Sequence, residues 1–167
     1  MYLGMYPEDF RIGRSHLELQ WSAEGFVPKE NGQDSEKVAR SYFNELVNRS
    51  LVQPVRFDGS GSVTECKVHD MMLDLILCKC AEENFLTIVD DPQAITKLDN
   101  KVRRLSVHLD PIDVTKLWGN ISLSQVRTFM IFVDCRVMPP LSLFKFLRVL
   151  HIENHGYHGV DLTGLSN

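Results

Sequence analysis

LVQPVRFDGSGSVTECKVHDMMLDLI, residues 51–76, holds two short β-prone runs, a turn between them and the opening of an apolar helix. Leu51 to Phe57 and Val63 to Val68 flank Asp58-Gly59-Ser60-Gly61-Ser62, a five-residue glycine-containing connection of hairpin type. Pro54 cannot donate to a ladder on one side, so the first run is expected at a sheet edge. Asp70 precedes Met71, Met72, Leu75, Ile76, Cys78 and Ala81, an apolar helix expected to end near Asn84. A short strand-like run, Phe85 to Val89, follows it.

Working outward toward the N-terminus, Val38, Ala39, Tyr42, Phe43, Leu46 and Val47 recur at helical spacing from Ser35 to Arg49, with Asp34 or Ser35 as N-cap. Val27 to Asp34 is polar, carries Pro28 and Gly32, and reads as a loop. Ser15-His16-Leu17-Glu18 matches a capping box, which predicts a helix starting there, with Leu17 and Trp21 on its buried face and Gly25 at its end. Two helices, a hairpin and a third helix within about 70 residues make a winged helix, a variant of the helix-turn-helix.

The second half has another rhythm. Val102 to Val107, Val126 to Ile131 and Leu147 to Ile152 each read apolar-Arg-x-apolar-x-apolar, with starts 24 and 21 residues apart. That spacing lies inside the period of leucine-rich repeats, where each repeat contributes one strand and a return segment that buries Leu and Phe. Leu105, Phe129 and Leu150 are then expected to share a core, with Leu141, Leu143 and Phe144 in a return segment. Leu162 to Asn167 reads as the lead-in to a further repeat, so the chain is expected to be a fragment lacking sequence at both ends. The expected class is α+β: a winged-helix domain over residues 1–90, then the start of a leucine-rich-repeat solenoid over 91–167.

Composition narrows the function. The 167 residues carry a formal net charge of -4. Residues 1–90 hold 9 Lys/Arg against 15 Asp/Glu, and residues 91–167 hold 9 against 7. An acidic winged helix is poorly suited to duplex DNA, although Lys37, Arg40 and Arg49 lie on the helix that would read it. No apolar run approaches the roughly 20 residues of a membrane span, and the N-terminus lacks the pattern of a secretory signal, which points to the cytoplasm. Four cysteines, Cys66, Cys78, Cys80 and Cys135, are too few and irregular for a disulfide scaffold. No nucleophile sits in a recognisable elbow, and no enzyme is expected. His151, His155, His158 and Asp161 are close enough to ligate a metal but read more simply as a loop. Arg103, Arg104, Arg127 and Arg148 recur at one register, either as ordinary exposed positions or as a basic strip for an acidic surface.

Three motifs carry a family resemblance. YLGMYPEDFRI at residues 2–12 resembles the opening of the winged-helix region in plant nucleotide-binding leucine-rich-repeat (NB-LRR) disease-resistance receptors. LELQWSAEGFV at 17–27 and SYFNELVNRSLVQP at 41–54 resemble the helices and first wing strand that follow, and KVHDMMLDLI at 67–76 resembles the Met-His-Asp motif, with Val68 in its first position. The family's phosphate-binding loop is absent, since no Gly-x-x-x-x-Gly-Lys-Ser/Thr string occurs. The resemblance implies a latch. His69 would contact the phosphate of ADP held by an upstream nucleotide-binding domain, and Asp70 would fix the motif and cap the helix. ADP or ATP is implied only in the context of that domain. The implied partners are that domain, further repeats and a pathogen effector or guarded host protein, in defense signalling.

Overall fold

The computed structural model describes residues 1–28, 34–91, 101–108, 122–132 and 139–153. They fall into two units, Met1–Cys80 and Ala81–Asn167.

The first unit is built on the hairpin. Strands β2 (Val52–Phe57) and β3 (Val63–Val68) pair antiparallel, with Val52 opposite Val68 and Phe57 opposite Val63. Asp58 organises the turn: its Oδ1 accepts from the amides of Ser60 at 2.8 Å and Ser62 at 3.0 Å, and Gly61 takes φ 82°. Those donors hold the Asp58 carboxyl below the ordinary range, the Ser60 hydroxyl bond first among them. A third strand, β1 (Ile12–Gly13), pairs with β3 and gives the order β1-β3-β2, which leaves β2 and its Pro54 at the edge as expected. Two residues are too short for any pattern to betray as a strand.

β1 also displaces the expected capping box. Gly13 pairs with Glu65, so the chain passes straight from sheet to helix and α1 runs Arg14–Glu24, with Gly13 at its N-cap and no side-chain capping bond. Ser15 is exposed inside the first turn. Glu18 turns instead toward Arg14 at 3.8 Å and Arg40 at 4.0 Å, and burial raises its pKa against the pull of both arginines. Arg14 donates to the carbonyl of Val63 at 2.9 Å and ties the helix to β3. α2 runs Ser35–Asn48, and Asp34 is its cap, accepting from the Glu36 amide at 3.1 Å. α1 packs on α2 and β3, and α2 on β2.

Met5, Ile12, Leu17, Trp21, Phe43, Val52 and Cys66 are buried in this unit. Of the expected stripe on α2 only Ala39 and Phe43 are fully buried, and Tyr42 is 38% exposed. α3 (Asp70–Glu82) departs further from its apolar pattern: Leu73 and Cys80 are buried, while Met71 is 81% and Leu75 54% exposed. The helix is apolar nearly all round but has one packed side in this unit, so half of its apolar residues face outward.

The second unit holds a four-stranded parallel sheet in sequence order, β4 (Thr87–Val89), β5 (Arg104–Val107), β6 (Thr128–Ile131) and β7 (Val149–Ile152). Leu105, Phe129 and Leu150 stand in register, as do Val89, Val107, Ile131 and Ile152. Both ladders enter one core with Leu123 and Val126, and Phe144 packs against it with its ring 5.4 Å from that of Phe129. Leu143, expected there, is 36% exposed, because the 3₁₀ turn Leu141–Leu143 points it outward. β4 pairs with β5, so the run placed before residue 90 belongs to this sheet and the division falls in the last turn of α3.

Candidate functional site

The junction between β3 and α3 carries the two residues singled out in the sequence. Val68 is held opposite Val52 and is 7% exposed, and Leu73, five residues on, is equally buried. Between these anchors the chain must turn from strand to helix. The His69 carbonyl accepts from the amides of Met72 and Leu73, each at 2.8 Å, so His69 occupies the cap position and Asp70 lies inside the first turn. The helix is therefore capped one residue earlier than expected. A carboxylate in the first turn still complements the helix dipole.

Both side chains are exposed. Among the described residues neither makes a side-chain hydrogen bond or ion pair. An imidazole and a carboxylate are thus presented side by side on a backbone fixed from both ends, with all their hydrogen-bonding capacity available. Met71, Leu75 and Cys78 continue outward from them along α3 at i, i+4 and i+7, all exposed. The sequence pattern could not reveal that stripe, since it separates apolar from polar and not packed from unpacked.

Other candidates resolve differently. Each cation on α2's outer side has an acidic neighbour: Lys37 lies 3.9 Å from Asp34, Arg40 4.0 Å from Glu18 and Arg49 2.6 Å from Glu45. That pairing leaves little uncompensated positive charge for a phosphate backbone. His151 lies 3.5 Å from Glu153, while His155, His158 and Asp161 lie outside the described residues. Among the described residues no group of three His, Cys, Asp or Glu could hold a metal ion. Arg104 sits 4.2 Å over the Phe85 ring, so this member of the arginine register is a packing residue. Cys66, Cys78 and Cys80 are not in disulfides; Cys78 is exposed, and Cys135 lies outside the described residues. No helix among the described residues is long and apolar enough to cross a membrane.

Three helices and an antiparallel hairpin, with an exposed His-Asp pair where the second wing strand meets the third helix, define a winged-helix domain. Residues 5–76 match the winged helix domain of disease resistance proteins. Over 159 residues, 95% of its length, the chain is 40% identical to Disease resistance protein RGA5 of Oryza sativa subsp. japonica, covering 14% of that protein. It is 36% identical over 155 residues, 92% of its length, to Disease resistance protein Pik-2 of the same organism, covering 15% of it. A putative late blight resistance protein homolog of Solanum demissum is 30% identical over 164 residues, matching 92% of this chain and 13% of its own length. The winged helix of residues 5–76 is that of the disease resistance proteins, and the resemblance to plant NB-LRR disease-resistance proteins read from the three motifs is borne out. It spans about one seventh of the length of these curated relatives.

Proposed function

We propose that this segment is the regulatory, non-catalytic part of a cytoplasmic immune receptor, in which His69 and Asp70 latch the winged helix onto a nucleotide-binding domain holding ADP. The observation that carries the reading is the exposed His69–Asp70 pair, without a side-chain partner among the described residues, at the junction held by the Val68 pairing and the His69 carbonyl. An imidazole N–H can donate to a phosphate oxygen, and the carboxylate can accept from backbone amides of a facing loop. The stripe of Met71, Leu75 and Cys78 supplies apolar area to seat the same contact. ADP or ATP enters only through the other domain, because one histidine offers neither a phosphate cradle nor a magnesium site.

We read the parallel sheet as the first leucine-rich repeats, whose later members would meet an effector or a guarded host protein. Its register supports this: Arg104, Thr128 and Val149 stand opposite one another at intervals of 24 and 21 residues.

The test is made in a full-length resistance protein carrying this segment. Asp70→Val should release the latch and trigger cell death without effector, because a latch biases a two-state equilibrium by several kcal/mol and a partial loss changes the active population many-fold. Asp70→Ser should give an intermediate response. Silence from both variants at wild-type protein level would remove the latch and leave Asp70 a helix-terminus residue only.

A further inference from the structure

The C-terminal ends of α1 and α2 close in the same way and open on one cavity. Gly25 is left-handed at φ 83°, its amide donates to the Ser22 carbonyl at 3.2 Å, and the Phe26 amide reaches the Trp21 carbonyl at 2.9 Å. Ser50 is left-handed at φ 55°, its amide donates to Val47 at 3.0 Å, and the Leu51 amide reaches Leu46 at 2.9 Å. Both are Schellman closures, which fix the residue after the left-handed one beside the helix's last turns. The paired residues, Trp21 with Phe26 and Leu46 with Leu51, all line a cavity of about 320 Å³. Tyr42, Glu45 and Arg49 complete it, one face of α2 at i, i+3 and i+7. That volume lies at the small end of the range for ligand sites.

The chemistry of this cavity favours one sign of charge. Trp21, Phe26 and Tyr42 bring three aromatic rings, whose faces attract cations. Two helix C-termini end beside it, each the negative pole of its dipole. Neither helix carries a basic residue in its last turn. Glu45 adds a carboxylate that is about half exposed. Among the described residues lining it the cation is Arg49, 68% exposed and 2.6 Å from Glu45.

We propose that this cavity binds an alkylammonium group, such as a methylated lysine side chain or a free quaternary amine. The rings would take the alkylated cation, and Glu45 would turn from Arg49 to share it. The proposal is independent of the His69 latch, and its failure would leave that reading untouched.

The whole chain is titrated with choline at low ionic strength, following the Trp21 indole N–H in a proton–nitrogen correlation spectrum. A saturable shift is expected, with the neutral carbon isostere of choline binding at least about fivefold more weakly. Tyr42→Ala, at an exposed position, should weaken choline by a similar factor; Glu45→Gln should weaken it, and Arg49→Gln should tighten it. Unchanged chemical-shift dispersion checks that each variant is folded. A peptide bearing trimethyl-lysine that binds about tenfold tighter than choline would assign the source to a protein partner, and equal affinity to a free amine. Absence of a saturable shift, equal binding of the isostere, or an Arg49→Gln variant that weakens choline would each overturn the proposal.

Discussion

The two sheets of this chain are held together on different sequence scales. The antiparallel sheet of the winged helix joins β2 and β3 through five residues, and its pairing is set by Asp58 and the turn it organises. The parallel sheet pairs Thr87 with Leu105, Arg104 with Thr128 and Thr128 with Val149, so each contact closes a loop of 18 to 24 residues. Loop closure costs more for these contacts than for the β2–β3 hairpin. The ladders of Leu105, Phe129 and Leu150, and of Val107, Ile131 and Ile152, hold the parallel sheet's register through burial. A local turn specifies the hairpin of the first sheet, a distant pairing adds β1 to it, and a repeated apolar pattern specifies the second sheet.

The thiols give the largest contrast within the first unit. Burial pushes the Cys66 thiol up from 9.0 to about 12, whereas Cys78 is exposed on α3. Iodoacetamide should modify Cys78 orders of magnitude faster than Cys66, which should react only when β3 opens. Mass mapping of the labelled peptides checks this, and equal rates would show that the sheet is open. Because the folded state keeps Cys66 protonated, the unfolded chain loses its proton first, and stability should fall as pH rises from about 9 toward 12.

Core deletions sharpen the comparison next. Phe43→Ala and Phe129→Ala each empty a fully buried site and should cost about 3–5 kcal/mol. Hydrogen exchange should show the first change exposing β2 and β3 amides and the second exposing β5 to β7. Loss of protection in both sheets from either variant would show that the units melt as one. Leu150 is half-buried beside the second core, and Leu150→Ala should cost about 2 kcal/mol. A chemical-denaturation loss below about half a kilocalorie would mean that β6 and β7 are paired in another register.

Helix ends give the smallest effects. Asp34→Ala removes a capping bond and should cost about 1 kcal/mol, while Ser15→Ala should leave the denaturation midpoint unchanged, although Ser15 begins the better-looking capping motif. A loss of about 1 kcal/mol at Ser15 would restore the capping box and argue against the β1 pairing that displaces it.

Much of the architecture was legible because it rests on local chemistry or on periodicity. Gly25, Asp34, the five residues from Asp58 and the recurring apolar-Arg pattern each act within their own neighbourhood or repeat. His69 and Asp70 stood out as a candidate site only through the resemblance, since an isolated His-Asp pair before a helix has an ordinary meaning as a cap. What escaped was every feature decided by a distant partner. Ser15 is no cap because Gly13 pairs with Glu65, about fifty residues away. Thr87–Val89 belongs to the second sheet because Leu105 lies beside Thr87.

The sequence by itself determined the order and type of the longer elements, because helix periodicity, turn chemistry and repeat spacing are written in neighbouring residues. Only the tertiary structure decided which apolar residues are covered. Met71 and Leu75 read as core but stand exposed beside His69, and Tyr42 leaves the core stripe of α2 to line a cavity with Trp21. An apolar side chain carries no mark of which surface will meet it; burial depends on what the fold brings within contact distance, and that is settled by packing across the whole unit.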